Sequence, residues 1–346
     1  MKQIGMFDES NCLRKLSKLG DQLEKLDGVM DWRIFEDVLN RVFAKEHKGA
    51  GGRPPYSYLL LFKVLVLQRL FNVSDDQAEY QINDRMSFRR FLGLSLGDPV
   101  PDAKTIWLFR DTLAKAGVME ELFSIFSQQL ERHGLVTREG TIVDATFVEA
   151  PRQRNTRDEN REIKEGRTPQ EWGNPENIHK IRQKDTDARW TVKNKERHYG
   201  YKDHVKVDAD SKLITGYSVT NASVHDSQAI IGLVDGKDKV IYADSAYSGK
   251  PIADELPIGA ENRIHEKGYR GRPLSEEQKA KNKEKSRVRS RVEHVFGYMT
   301  GTMHGITVRC VGIARARFNV GLTNLVYNLC RYEILSRKRS VAGLFC

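Results

Sequence analysis

The sequence predicts an α/β (α+β) protein, with a helical N-terminal module followed by a domain built on a sheet. Three observations predict it. Apolar residues up to about residue 135 recur every three or four positions, the spacing of one helix face. From Gly140 the pattern changes to β-branched runs, beginning with Gly140-Thr-Ile-Val-Asp-Ala-Thr-Phe-Val148. Beyond Ser275 helical spacing returns, so strands come first, helices later, and polar loops lie between.

Each element has its own justification. Leu13, Leu16, Leu19, Leu23 and Leu26 form a first helical stripe, and Leu59 to Leu70 a second, with Pro54-Pro55 ahead as a start signal. Asp75 to Leu92 is polar but helix-compatible. Asp102 suits the N-cap of a helix over Ala103 to Ala116, which Gly117 ends, and Met119 to His133 makes another. After the strand at 140–148, residues 151–197 hold few large apolar side chains and read as an exposed basic insertion without a core. Tyr199 to Asp208 and Leu213 to Ala222 are paired strands joined by a turn at Asp208-Ala-Asp-Ser211. Lys239 to Asp244 is a short apolar run, as in a central strand covered on both faces. Ser275 with Gln278 has capping-box spacing and starts a long helix to about Met299. A last helix spans Ile313 to Leu335, and 337–346 read as a tail.

Composition narrows the function. The 346 residues carry 57 Lys+Arg against 47 Asp+Glu, a formal net charge of +10, which points to a polyanionic partner. Ten Pro and 27 Gly exclude collagen-like and wholly disordered chains. The cysteines at 12, 310, 330 and 346 show no CxxC spacing, against a disulfide scaffold or a cysteine zinc site. No signal peptide opens the chain, and Tyr56 to Phe71 is interrupted well short of the ~20 apolar residues of a membrane span. A cytoplasmic protein without a membrane partner is expected.

Two aspartates stand out. Asp144 follows Thr-Ile-Val inside one strand, and Asp244 ends the run Val240-Ile-Tyr-Ala243. A carboxylate so placed is either a turn cap or a charge aimed into a cleft at the sheet's end. The third candidate, Glu293, lies on the late helix about 120° from the centre of its Val292–Met299 stripe. Arg289 is one turn earlier on the same flank, and Arg287 and Arg291 are on the other. Taken alone, Glu293 and Arg289 read equally as an exposed i, i+4 pair. Together, three carboxylates in a basic domain suit Mg²⁺, with Mn²⁺ able to substitute. Two such ions serve in-line phosphoryl transfer.

On these residues the chain resembles the bacterial insertion-sequence DDE transposases. Val143-Asp-Ala-Thr146, Tyr242-Ala-Asp-Ser-Ala-Tyr-Ser-Gly249 and Arg289-Ser-Arg-Val-Glu-His-Val-Phe-Gly297 are similar to their three signature regions. Gly52-Arg-Pro-Pro-Tyr56 through Phe88-Arg-Arg-Phe-Leu-Gly93, then Pro101-Asp-Ala-Lys-Thr-Ile106, resembles the branch with an InsH-like N-terminal domain, as does Asn221-Ala-Ser-Val-His-Asp-Ser227. The resemblance implies an RNase H-like catalytic domain over 136–336, preceded by a DNA-end-binding helical domain over 1–135. It implies a mixed sheet whose first and fourth strands carry Asp144 and Asp244, with Glu293 on a later helix as the third member of a metal-binding catalytic triad. The chain departs from the family pattern at Ser286, where relatives have Tyr, and at Thr300, where they have Lys.

The partner implied is double-stranded DNA, both the inverted-repeat ends and a target, handled by a homodimer or higher assembly at the bacterial nucleoid. Residues 263–291 hold 11 Lys/Arg and 4 Glu, which makes Lys283, Lys285, Arg287, Arg289 and Arg291 candidate phosphate contacts. Lys104 and Arg110 on the 103–116 helix could face a DNA groove, or that helix could simply be part of a bundle. In the insertion, Arg152, Arg154, Arg157 and Arg161 with Trp172 and Trp190 mix charge and aromatics as a strand-binding loop does, or as a linker does. Thr146, Ser245 and His225 are candidate supports of the carboxylates, although His225 equally suits a strand-end turn. A nuclease or resolvase that cuts without joining, and a silent DNA-binding descendant, remain the alternatives.

Overall fold

Glycines, caps and a change of periodicity divide the chain into the elements observed. The computed structural model describes residues 8–44, 55–193 and 195–343. It forms two compact units, one drawn from the chain up to Phe126 and from Leu325 onward, the other from Ser127–Asn324.

The first unit holds α1 (Asp8–Leu19), α2 (Gln22–Val29), a 3₁₀ turn at Trp32–Phe35, α3 (Glu36–Phe43), α4 (Tyr58–Phe71), α5 (Asp75–Asp84), α6 (Met86–Leu92), α7 (Ala103–Ala116) and the start of α8 (Met119–Arg132). The leucine stripe is not one helix. Gly20, at φ +90°, breaks it, and the Asp21 carboxylate accepts from the Leu23 N–H at 2.9 Å to start α2. The break leaves Leu19 84% exposed. A second break at Arg85 separates α5 from α6. Pro54 lies outside the described residues, and α4 begins instead on Ser57, whose hydroxyl accepts from Leu60 N–H. Helix α7 runs as its sequence predicts, with Asp102 accepting from Thr105 N–H at 2.6 Å and Gly117 left-handed at its end. Phe35, Phe62, Phe88 and Phe91 are buried at the centre, each worth roughly 1.5–3 kcal/mol of burial.

The second unit is built on a six-stranded mixed sheet of β1 (Thr141–Glu149), β2 (Arg189–Lys193), β3 (Glu196–Asp208), β4 (Ile214–Asn221), β5 (Val240–Tyr242) and β6 (Glu261–Asn262). Strand β3 runs antiparallel to β1, β2 and β4, while β5 is parallel to β1 and β6 parallel to β5. Leaving out β2, which belongs to the insertion, the order β4-β3-β1-β5-β6 is the RNase H-like mixed sheet that the family resemblance implies. On one edge β3 pairs first with β2, then with β4, and the exchange occurs at Gly200–Tyr201. Gly200 has φ +146°, and a side chain there would meet the Val148 carbonyl at 2.2 Å, so only glycine fits.

Strand alternation sorts the two faces. Val143, Ile241 and Ala243 pack on one face with Ile230, Leu233, Tyr247, Ile252 and Ile264, under α11 (Ser227–Ile230) and α12 (Lys250–Glu255). Ile142, Asp144 and Thr146 point the other way, towards α13 (Glu276–Arg289) and α14 (Val292–Gly301), whose Val292, Val295 and Met299 are buried. The helix expected to run unbroken from Ser275 to Met299 divides at Ser290-Arg291. There Arg291, Glu293 and His294 N–H groups bond three residues back instead of four, a tightened 3₁₀-like step. The last helix, α15 (Ile313–Gly343), runs past the expected end at Leu335. Residues 337–343, expected as tail, continue it because no helix breaker intervenes before Gly343; 344–346 lie outside the described residues.

The insertion departs most from expectation. Residues 151–197 are not coreless: they form α9 (Arg157–Lys164), α10 (Ile178–Gln183) and a 3₁₀ turn at Gln170–Gly173, and Trp172 is fully buried, as Ile163 and Ala188 nearly are. The nucleus is partly polar. The Glu159 carboxylate accepts from Trp172 Nε1 at 2.7 Å, Thr156 N–H at 2.8 Å and Lys180 Nζ at 3.1 Å. Asp185, also buried, accepts from Tyr201 Oη at 2.6 Å and from Gly312 N–H at 3.1 Å, fixing the insertion to the sheet. Few apolar residues suffice because hydrogen bonds to two buried carboxylates complete the packing.

Candidate active site

The parallel pairing of β1 with β5 places the two aspartates together. Ile142 is in register with Tyr242. Two residues further along, Asp144 and Asp244 therefore lie side by side on the same face, since Asp244 keeps extended backbone (φ −76°, ψ 176°). Asp144 is the more enclosed. One oxygen accepts from Ala145 N–H at 2.8 Å, and the other accepts from the Arg289 guanidinium at 2.8 Å. Burial pushes its carboxyl up to about 6, with Asp244 adding like charge, while the Ala145 N–H, Arg289 and Lys193 pull it down. Asp244 also caps a 3₁₀ turn at Ser245–Tyr247, accepting from Ala246 N–H at 2.7 Å. The turn-capping and cleft readings of that residue thus both hold.

Glu293 lies on α14, which contacts β1. It sits in the first turn of α14, exposed, with no side-chain hydrogen bond or ion pair to another described residue. Among the described residues no three His, Cys, Asp or Glu side chains come together as a metal-holding group. The tightened step at Ser290–Arg291 lies between Arg289, at the end of α13, and Glu293. The donor chemistry of the pair itself still fits a hard, oxygen-seeking cation, because two adjacent carboxylates, one of them poorly solvated, gain most from shared positive charge.

The basic residues divide in two. Arg289 is held by Asp144. Lys285 Nζ donates to the Ile264 carbonyl at 2.8 Å, and Arg291 binds the Ala209 carbonyl at 2.9 Å and Asp210 at 3.0 Å. Arg110 is committed too, in a two-pronged ion pair with Asp75 at 2.6 and 2.7 Å that ties α7 to α5. These four are structural ties as they stand. Lys283, Arg287 and Lys104 are exposed without a side-chain partner among the described residues, as are Lys267, Arg270, Arg272 and Lys281.

Of the candidate supporting groups, Thr146 lies on the Asp144 face two residues further along β1, and Ser245 lies in the turn Asp244 caps. His225 is exposed and bonded to Ser227 Oγ at 2.7 Å, a turn role. Two residues not singled out from sequence, Tyr247 and His265, interact electrostatically with the pair. Tyr247 is buried with no partner for its hydroxyl among the described residues, and burial together with Asp226, Asp144 and Asp244 drives its phenol upward. His265 N–H bonds to Ala243 O at 3.1 Å, and burial, Arg289 and Lys285 lower its pKa. Asp226, which the sequence offers beside His225 as an aid to metal or substrate placement or as part of a strand-end turn, forms a largely buried ion pair with Lys202 at 2.7 Å. Tyr247 had a signal, three residues after Asp244 within a signature segment. His265 had none, because a loop of no fixed pattern carries it back.

Comparison with known proteins gives two family matches and one solved structure. A family model described as "Transposase DDE domain" matches residues 136–329, and one described as "Transposase domain (DUF772)" matches 11–112. A solved structure titled as a cryo-EM structure of piggyBac transposase synaptic complex with hairpin DNA matches at 13% identity and a TM-score of 0.45, over 95% of this chain and 78% of that one. No described helix is long and apolar enough to cross a membrane.

Proposed function

The chain belongs to the transposase DDE domain family, and from that premise we propose that it is the transposase of a bacterial insertion sequence, acting on DNA at the nucleoid. It binds the inverted-repeat ends of its element, releases 3′-hydroxyls with water as nucleophile, and directs those hydroxyls at target DNA. Because two ends are processed together, it works as a homodimer or a higher assembly on DNA. The observation that carries the reading is the adjacency of Asp144 on β1 and Asp244 just past the parallel β5, with burial pushing the Asp144 carboxyl up to about 6.

Asp144 and Asp244, joined by Glu293 as the third carboxylate, would hold two Mg²⁺ ions, or Mn²⁺ in their place. Such ions, when bound, activate the attacking oxygen and stabilise the leaving one. Glu293 has no side-chain partner among the described residues, and its exposed side chain is available to turn towards the pair. Arg289 neutralises Asp144 in the meantime, keeping two adjacent carboxylates compatible with burial. Lys283 and Arg287 on α13, with Lys104 on α7, hold DNA phosphates, and residues 1–135 recognise the element's ends. Lys285, Arg289, Arg291 and Arg110 contribute only after giving up the partners they have here.

The test is cleavage and joining of a duplex bearing the flanking inverted repeats, with Mg²⁺ or Mn²⁺, comparing the native chain with Asp244→Ala. Metal-dependent 3′-end release and joined products, absent in the variant, are expected. Cut but unjoined products would move the assignment to a nuclease or resolvase. Binding without any cleavage would leave a catalytically silent descendant.

A further inference from the structure

We infer that helix α9 of the insertion is a second DNA contact, a stripe of cations that grips the phosphate backbone of a duplex outside the carboxylate site. The inference rests on the DNA-processing function proposed above and adds to it a surface with a defined register.

At 100° per residue, α9 sorts its side chains into three sectors. Glu159 and Ile163, both buried, face the insertion's nucleus. Asp158, Glu162 and Glu165 occupy a second sector. Arg157, Arg161 and Lys164 fall within an arc of about 60° in the third, at i, i+4 and i+7. All three are exposed, and with Asn160 and Glu165 they line an open groove along the helix. The three cations share one sector, with Glu165 at its edge and Asp158 reaching Arg161 from the second.

The insertion's other cations show what the stripe is not. Lys180 and Lys184 are turned inward onto Glu159, and Arg189 donates to the Ile163 carbonyl at 2.7 Å. Arg157 and Lys164 carry no side-chain partner among the described residues. Arg161 pairs only with exposed Asp158, a solvent-screened contact worth little and readily exchanged for a phosphate. The capping box at Thr156 and Glu159 and the Trp172–Glu159 bond hold α9 in place, so the stripe is ordered before any ligand arrives. Its length, about 10 Å at 1.5 Å per residue, spans about three successive phosphates of one strand at 3.4 Å of axial rise. Backbone contact of this kind positions DNA without reading sequence.

The experiment measures the salt dependence of affinity of the full chain for two duplexes, one bearing the flanking inverted repeat and one unrelated. The native chain is compared with Arg157→Gln/Arg161→Gln/Lys164→Gln and with the acidic-sector control Glu162→Gln/Glu165→Gln. The triple variant is expected to lose affinity equally for both duplexes and to lower the slope of log K against log salt by about 3, one per phosphate contact. The control keeps the native slope. An unchanged slope in a triple variant that still binds and melts like the native chain would overturn the inference, as would a loss confined to one duplex. Failure of the native chain to bind either duplex would instead remove the proposed function beneath it.

Discussion

Two enclosed carboxylates in the second unit are treated in opposite ways. Glu159, in the insertion, is resisted by burial but surrounded by Trp172, Thr156, Lys180 and Lys184, which together bring it down to about 2. Asp144, in the sheet, has one backbone N–H and one guanidinium against burial and a neighbouring carboxylate, and it ends at about 6. A group with every lone pair satisfied is a fixed part of the packing, and little is gained by offering it a new partner. A group left short of partners beside a like charge is poised to accept one. The difference separates a carboxylate that holds structure from a carboxylate that does chemistry, within one domain and one sequence.

Substitutions can break that contrast. Asp244→Ala and Asp144→Asn are expected to cut strand joining by about 10³-fold or more, as losing several kcal/mol of transition-state stabilisation requires. DNA affinity and melting temperature should stay near native; a variant that joins normally would dissolve the distinction. Glu293→Gln sharpens it: joining is expected to fall comparably with no change in melting, since the side chain is exposed and has no partner among the described residues. Full activity in that variant would confine the chemistry to the aspartate pair. Glu159→Ala should do the reverse. It strips partners from Trp172, Lys180 and Lys184 at a cost of about 2–4 kcal/mol, lowering the melting temperature by several degrees. Joining per folded molecule at 25 °C should be unchanged, and a selective loss of joining would mean that Glu159 is not merely structural.

What could be read from the sequence follows the range of the forces involved. Caps and breakers act locally, so the bounds of α7 and the strand carrying Asp144 were legible, as was the pairing of β3 with β4. The Asp144 and Asp244 positions were legible through strand patterning and the signature segments. The division of the late helix was not, because Ser290 and Arg291 stay within helical backbone angles and no breaker marks the step. The commitments of Arg110 to Asp75 and Arg289 to Asp144 were not legible either. Pairings 35 and 145 residues apart depend on packing, and composition counts a cation the same whether it is free or bound. The insertion misled for a related reason: its nucleus is held by buried carboxylates, and hydropathy registers those as evidence against a core.

The smallest effect expected is in the pH dependence of stability, and its sign tests the contrast without any substrate. Asp203 on β3 is fully buried, with one oxygen accepting from Asn324 Nδ2 at 3.1 Å and the other without a partner among the described residues. Burial pushes it up to about 7, against the hydrogen bond from Asn324. It belongs with Asp144, not with Glu159. Between the unfolded carboxyl value near 4 and these raised folded values, the folded chain binds more protons than the unfolded one, so stability falls as pH rises from about 4 to about 7. Glu159 behaves oppositely, its contribution present above about 4.5 and lost as pH falls through about 2. Asp203→Asn removes the penalised charge while keeping the side chain's shape. Chemical denaturation across pH 4–8 should therefore show a flatter profile in the variant, with a gain of order 1 kcal/mol at pH 8 and none at pH 4. A profile that stayed as steep as the native one would mean that Asp203 is solvated or paired at neutral pH, and that the fold leaves fewer carboxylates short of partners than the contrast requires.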